Sequence, residues 1–148
     1  ALVFALPAAA QRTPEPIVDH QAVPYATSSG KRPSETEIRT AIRQASTSLG
    51  WSLADTQDSR TLIGTLIVRN RHTIQVSIQL QPEHYSVTYR DSVNMNYSAS
   101  GLTREDQMLI NWRGSSNLGG KESPVIHPNY NRWVKDLVSA INRGINTL

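Results

Sequence analysis

Between residues 34 and 49 the apolar side chains of Ile38, Ala41, Ile42, Ala45 and Leu49 recur at helical spacing, with Arg39, Arg43, Gln44 and Ser48 outside that stripe. Ser34 with Glu37 three residues on makes a capping box, and Gly50 supplies a left-handed residue to end the turn, so a helix is predicted over 34–49. Beyond it the period drops to two. Trp51–Ala54 reads as a short strand, Thr56–Ser59 as a turn, and residues 60–69 as a strand rich in β-branched residues. After a tight turn at Asn70–Arg71, Ile74, Val76, Ile78 and Leu80 alternate with Thr73, Gln75, Ser77 and Gln79. Pro82–Glu83 makes the next turn, and Tyr85, Val87 and Tyr89 alternate with Ser86, Thr88 and Arg90. A second amphipathic helix is predicted over 128–145, with Pro128 in its first turn and Gly144 marking a frayed end.

Short links between consecutive strands imply an antiparallel meander with one apolar and one polar face, and a one-faced sheet needs a cover. The predicted fold class is therefore α+β: a two-layer sandwich of a four-stranded antiparallel meander with two helices on its apolar face, in the order α-β-β-β-β-loop-α. Pairing Leu80 with Tyr85 predicts Ile74 opposite Asp91 and His72 near Val93.

The rest of the chain breaks these periods. Residues 1–10 are uncharged and apolar and end in Ala8-x-Ala10, which reads as the remnant of a secretory signal peptide. Residues 11–33 carry Pro14, Pro16, Pro24 and Pro33 with no period of 2 or 3.6 and are predicted to be a flexible tether, unless Ile17, Val18, Val23 and Tyr25 dock on the domain. Residues 34–148 then form a single domain interrupted by a Gly- and Ser-rich loop insertion at 98–123, in which Thr103 could cap a short helix. A loop of that length either carries function or covers a sheet edge.

Composition narrows the chemistry. The 148 residues include no Cys, which excludes a disulfide scaffold, a thiolate metal site and a Cys nucleophile. Fifteen Lys and Arg against twelve Asp and Glu give a formal charge of +3, too small an excess to suggest a nucleic-acid partner. No apolar run approaches the ~20 residues of a membrane-spanning helix, so no transmembrane segment is predicted.

Three strings carry a resemblance: Val68-Arg69-Asn70-Arg71-His72, the run from Tyr85 to Tyr97, and Ile126-His127-Pro128-Asn129-Tyr130-Asn131-Arg132-Trp133-Val134. They resemble a group of small secreted proteins and lipoproteins of Gram-negative bacteria, mostly uncharacterised, over about residues 34–97 and 124–145. The resemblance implies a periplasmic or secreted protein of the cell envelope, with outer-membrane association in members that carry a lipidated Cys. This chain has no such Cys, and its 98–123 insertion replaces a short link. The resemblance supplies no activity.

The meander brings Arg69, His72, Asp91, Ser92 and Asn94 toward one sheet end, where His127 and Asn129 at the start of the last helix could join them. Cations beside a helix N-terminus favour an anion, so these seven residues form the candidate ligand site. The structural alternative has Asp91 bonding Arg69 or backbone amides, with His127 and Asn129 capping the helix. No catalytic, phosphate-loop or dinucleotide motif is present. A Ser92/His72/Asp91 triad fails because adjacent strand residues point to opposite faces. The chain is thus read as a non-catalytic module without metal or cofactor. It would bind another envelope protein or a cell-wall partner through the open sheet face or the 98–123 loop. The alternative is a small anionic-ligand binder or enzyme at the Arg69/His72/Asp91/His127 end.

Overall fold

The computed structural model describes residues 13–99 and 124–148. The signal-peptide reading of residues 1–10 and nearly all of the 98–123 insertion lie outside the described residues. Among the described residues seven strands and two helices follow in chain order: β1 (Glu15–Pro16), β2 (His20–Pro24), α1 (Glu35–Ser48), β3 (Ser52–Asp55), β4 (Thr61–Val68), β5 (His72–Leu80), β6 (His84–Val93), β7 (Val125–Ile126) and α2 (Pro128–Asn146). The fold is α+β, with a five-stranded antiparallel sheet ordered β2-β6-β5-β4-β3 and a separate β1-β7 pair.

The α1 cap forms as its sequence dictates. The Glu37 N–H donates to Ser34 Oγ at 3.1 Å, and the Ser34 N–H donates to Glu37 Oε1 at 3.0 Å. At the other end Gly50 takes a positive φ of 85°, which lets the Trp51 N–H turn back to Ser46 O at 2.9 Å. Trp51 is thereby tucked into the core. Gly64 in the middle of β4 makes room for it: a Cβ there would stand 3.4 Å from Trp51 Cε3 and 3.2 Å from Val76 Cγ2.

The alternating residues Leu62 and Leu66 of β4, Ile74, Val76, Ile78 and Leu80 of β5, and Tyr85 and Val87 of β6 are all buried. They share one core with Ile38, Ala41 and Ile42 of α1 and with Tyr130, Val134, Leu137 and Ile141 of α2. Gly144 does not fray α2, which runs on to Asn146; a Cβ at Gly144 would lie 3.6 Å from the Ala41 side chain, so glycine sits where the two helices approach.

The segment predicted as a flexible tether is the main correction. Residues 13–33 lie along the domain, with β2 as a fifth strand on the edge of β6 and β1 paired to β7. Hydrogen bonds from distant polar groups hold this arm in place of a hydrophobic period. Asn131 of α2 accepts from the Val18 N–H at 3.0 Å and donates to Pro16 O at 2.9 Å, and Asp19 accepts the Tyr89 N–H at 3.0 Å. Farther along, Ser28 N–H and Oγ both reach Asn146 O at 2.9 Å, satisfying a carbonyl that the end of α2 leaves unpaired. Ile17, Val23 and Tyr25 pack on the core, while Val18 stays half exposed.

The predicted register needs a second correction. Leu80 does face Tyr85, but a bulge between Gln75 and Val76 sets Asp91 opposite Gln75, Ser92 opposite Ile74 and Val93 opposite Thr73. Arg90 is the extra residue. Each side chain beyond it is displaced by one place from the uninterrupted ladder.

Candidate functional site

The β4–β5 turn is built from two consecutive residues at positive φ, Arg69 at 56° and Asn70 at 55°, with the Arg71 N–H donating to Val68 O at 3.1 Å. Asparagine tolerates this left-handed region and arginine does so at a cost, so the turn is held from outside. Asn94, itself at φ 60°, donates its amide to Arg71 O at 2.7 Å, and His72 Nδ1 lies 2.8 Å from Asn94 O. A carbonyl can only accept, so Nδ1 carries the proton in that bond.

One residue further, Met95 O accepts the His127 N–H at 2.8 Å. His127 is the N-cap of α2: its Nδ1 accepts the Asn129 N–H at 3.1 Å, so that nitrogen presents a lone pair. The chain leaving β6 therefore stitches the turn on one side to the start of α2 on the other. His72, Asn94, His127 and Asn129 all serve this stitch.

Asp91 and Ser92 are not part of it. The bulge puts Asp91 on the outer face, where its carboxylate accepts the Ser92 N–H at 2.8 Å. Ser92 faces the helix side and shares a 2.9 Å hydrogen bond with the Tyr89 hydroxyl. Arg69 is exposed and makes no ion pair among the described residues. The seven candidate residues thus divide into a four-residue structural junction, a lone cation on a turn, and two side chains on opposite faces. Among the described residues no group of three His, Cys, Asp or Glu side chains is placed to hold a metal.

Burial shifts several tyrosines. Tyr85 and Tyr130 are fully buried and their hydroxyls are pushed well above the ordinary tyrosine range by desolvation. Tyr85 donates to Asn142 Oδ1 at 2.6 Å, whereas the Tyr130 hydroxyl has no hydrogen-bond partner among the described residues. Tyr130 meets the edge of Tyr89, which in turn stacks on Tyr97 with centroids 4.6 Å apart. His20 on β2 is lowered, chiefly by desolvation and against the opposing pull of Asp19.

At the opposite end of the sheet lies a cleft of about 230 Å³ that sequence reasoning missed. The arm and the β5–β6 turn form it, with Ile38 and Leu80 behind and Tyr25, Arg32, Glu35 and Arg60 around it. Tyr25 is fixed there by donating to Gln81 O at 2.8 Å and by stacking on Tyr85 at 6.0 Å. The docking of Tyr25 was the one trace of this site in the sequence.

With the geometry in hand, comparison adds no family to the fold: no family model matches the chain, and no curated protein or solved structure matches it significantly. What fold and site define is an α+β domain whose helices cover one sheet face.

Proposed function

We propose that this chain is a non-catalytic module of the bacterial cell envelope, exported to the periplasm or beyond, that docks another envelope protein on the outer face of its sheet. The observation that carries the reading is one cross-strand row on that face. Ile67 stands opposite Thr73, and Thr73 opposite Val93, so two large apolar side chains flank one threonine. Ile67 is 58% exposed and Val93 55%. Isolated apolar side chains are ordinary on a surface, but a pair set about 10 Å apart across three strands offers a shaped contact. Thr65, Gln75, Ser77 and Thr88 around it supply uncharged hydrogen-bonding groups, and Asp91 opposite Gln75 adds one exposed carboxylate beside the row, as the polar rim of a protein interface does. The export half of the reading rests on the Ala8-x-Ala10 ending and on the resemblance of the His127–Val134 segment to envelope proteins.

The test replaces Ile67 and Val93 by Lys together in the full chain. The long lysine stems keep the sheet face covered while the charges repel an apolar partner. Cross-linking in intact cells should capture one defined envelope protein with the parent chain and lose it with the double variant, at an unchanged urea midpoint. Retention of that protein by the double variant, or a parent chain found in the cytoplasmic fraction, would refute the reading.

A further inference from the structure

The cleft at the β5–β6 end has a charge pattern that the docking face does not explain. Three charged residues border it, and two are neutralised by neighbours: Arg32 pairs with Glu83 at 3.1 Å, and Glu35 with Arg39 at 3.5 Å. Arg60 makes no ion pair or side-chain hydrogen bond among the described residues. Its backbone is nevertheless fixed on both sides, since its N–H donates to Asp58 Oδ1 at 3.0 Å and its carbonyl accepts the Leu80 N–H at 2.7 Å. An exposed guanidinium on this fixed backbone, with Asp58 as its acidic neighbour but no direct ion pair among the described residues, thus borders a floor made of Ile38 and Leu80, with the half-buried ring of Tyr25 as one wall. The cleft continues past Arg32 into a more open groove bordered by Lys31, which also makes no ion pair among the described residues.

We infer that this cleft binds a small carboxylate with an apolar body, Arg60 taking the carboxylate and Ile38, Leu80 and Tyr25 covering the apolar part. Guanidinium matches a carboxylate as a two-pronged donor, and the apolar floor rewards a ligand that brings hydrocarbon with its charge. At about 230 Å³ the space falls below the ~300–1,000 Å³ of sites for drug-sized ligands, which sets the ligand at about one amino-acid residue. An N-acylated amino acid and the C-terminal residue of a peptide present this same chemistry.

The probe is N-acetyl-leucine, titrated into the isotope-labelled full chain and followed by amide NMR shifts. Saturable shifts centred on Tyr25, Ile38, Arg60 and Leu80 are expected, and N-acetyl-leucine amide, which lacks the charge, should bind about three- to fivefold more weakly. Arg60→Gln should weaken binding about three- to fivefold, as for an exposed ion pair, and Arg60→Glu should abolish it. A tripeptide ending in leucine separates the two sources: tighter binding than the probe marks a peptide end as the ligand, and weaker binding marks a free acid. Equal binding of acid and amide, or an affinity indifferent to Arg60→Glu with the fold intact, would overturn the assignment.

Discussion

Replacing Tyr130 by Phe should stabilise the domain, while the same replacement at Tyr85 should destabilise it. Both side chains are fully buried, and both rings belong to the shared core. They differ in the hydroxyl. That of Tyr85 donates to Asn142 Oδ1 at 2.6 Å, and that of Tyr130 meets no acceptor among the described residues. A buried hydroxyl without a partner costs about 1–3 kcal/mol of desolvation, whereas a satisfied one contributes about 1 kcal/mol net. Phenylalanine keeps the edge contact of Tyr130 with Tyr89, whose ring centroids are 5.6 Å apart, so little packing is lost. Tyr130→Phe should therefore gain about 1 kcal/mol and Tyr85→Phe lose about as much. With a urea slope of about 2 kcal/mol per molar, the midpoints should move by ~0.5 M in opposite directions at constant slope. Equilibrium urea unfolding read by far-UV circular dichroism measures both. A Tyr130→Phe variant that loses as much as Tyr85→Phe would refute the reasoning, because it would mean that the Tyr130 hydroxyl is satisfied in the folded protein.

Three further outcomes follow from the same packing. Burial raises the Tyr85 and Tyr130 hydroxyls above the ordinary value near 10. The unfolded chain then loses these protons first on going alkaline, so their contribution is complete below pH ~10 and falls above it by about 1.4 kcal/mol per pH unit for each group. A urea series from pH 9 to 11 should show this slope, lessened by one group's share in Tyr85→Phe. Gly64→Val adds atoms where even a Cβ stands 3.2 Å from Val76 Cγ2, and should cost about 1–3 kcal/mol in the same assay. Gly144→Ala meets only an ordinary 3.6 Å contact with Ala41 and removes a glycine from a helix interior, so it should raise stability by about 0.5–1 kcal/mol.

The elements that were legible in the sequence are those whose reasons are local. The capping box of α1, the alternation of β5 and the apolar stripe of α2 each lie within a few residues and needed nothing from the rest of the chain. The arm was not legible because what orders it is remote. Its partners Asn131, Asn146 and Tyr89 stand 70 residues or more away, and the strand it forms is interrupted by Ala22 at φ 55° and ends on Pro24. The sparse apolar residues Ile17, Val18, Val23 and Tyr25 were the available signal. The bulge at Arg90 was hidden for a related reason: the polar run Arg90-Asp91-Ser92 looks the same with or without a slipped place, since no apolar residue in it reports which face is buried.

The docked arm and the bulge both bear on where a ligand would sit. An unbroken ladder would set Asp91, on the helix side with Ile74, toward His72 and His127; the bulge turns Asp91 outward and leaves Tyr89-bonded Ser92 in its place. The polar groups that remain at that end are joined through main-chain carbonyls at 94 and 95, so removing them should loosen the turn before it changes any recognition. The arm acts at the other end. Without residues 25–33, the cleft beside the β5–β6 turn would lose Tyr25 and Arg32, and Arg60 would stand on an open edge with Leu80 uncovered. Tyr25 reaches that place because Ser28 and Ser29 tie the arm to the carbonyls of Asn146 and Leu148 at the end of α2. Binding at Arg60 and closure of the arm are therefore linked. A ligand that needs the Tyr25 wall binds only the docked arm, and should stabilise the fold by an amount that falls when Ser28 and Ser29 are both replaced by Ala, which removes two of the bonds holding the arm and leaves the Ser28 N–H and Tyr25 bonds in place. Thermal shift with N-acetyl-leucine in the two backgrounds decides it, and an equal shift in both would separate the arm from the site.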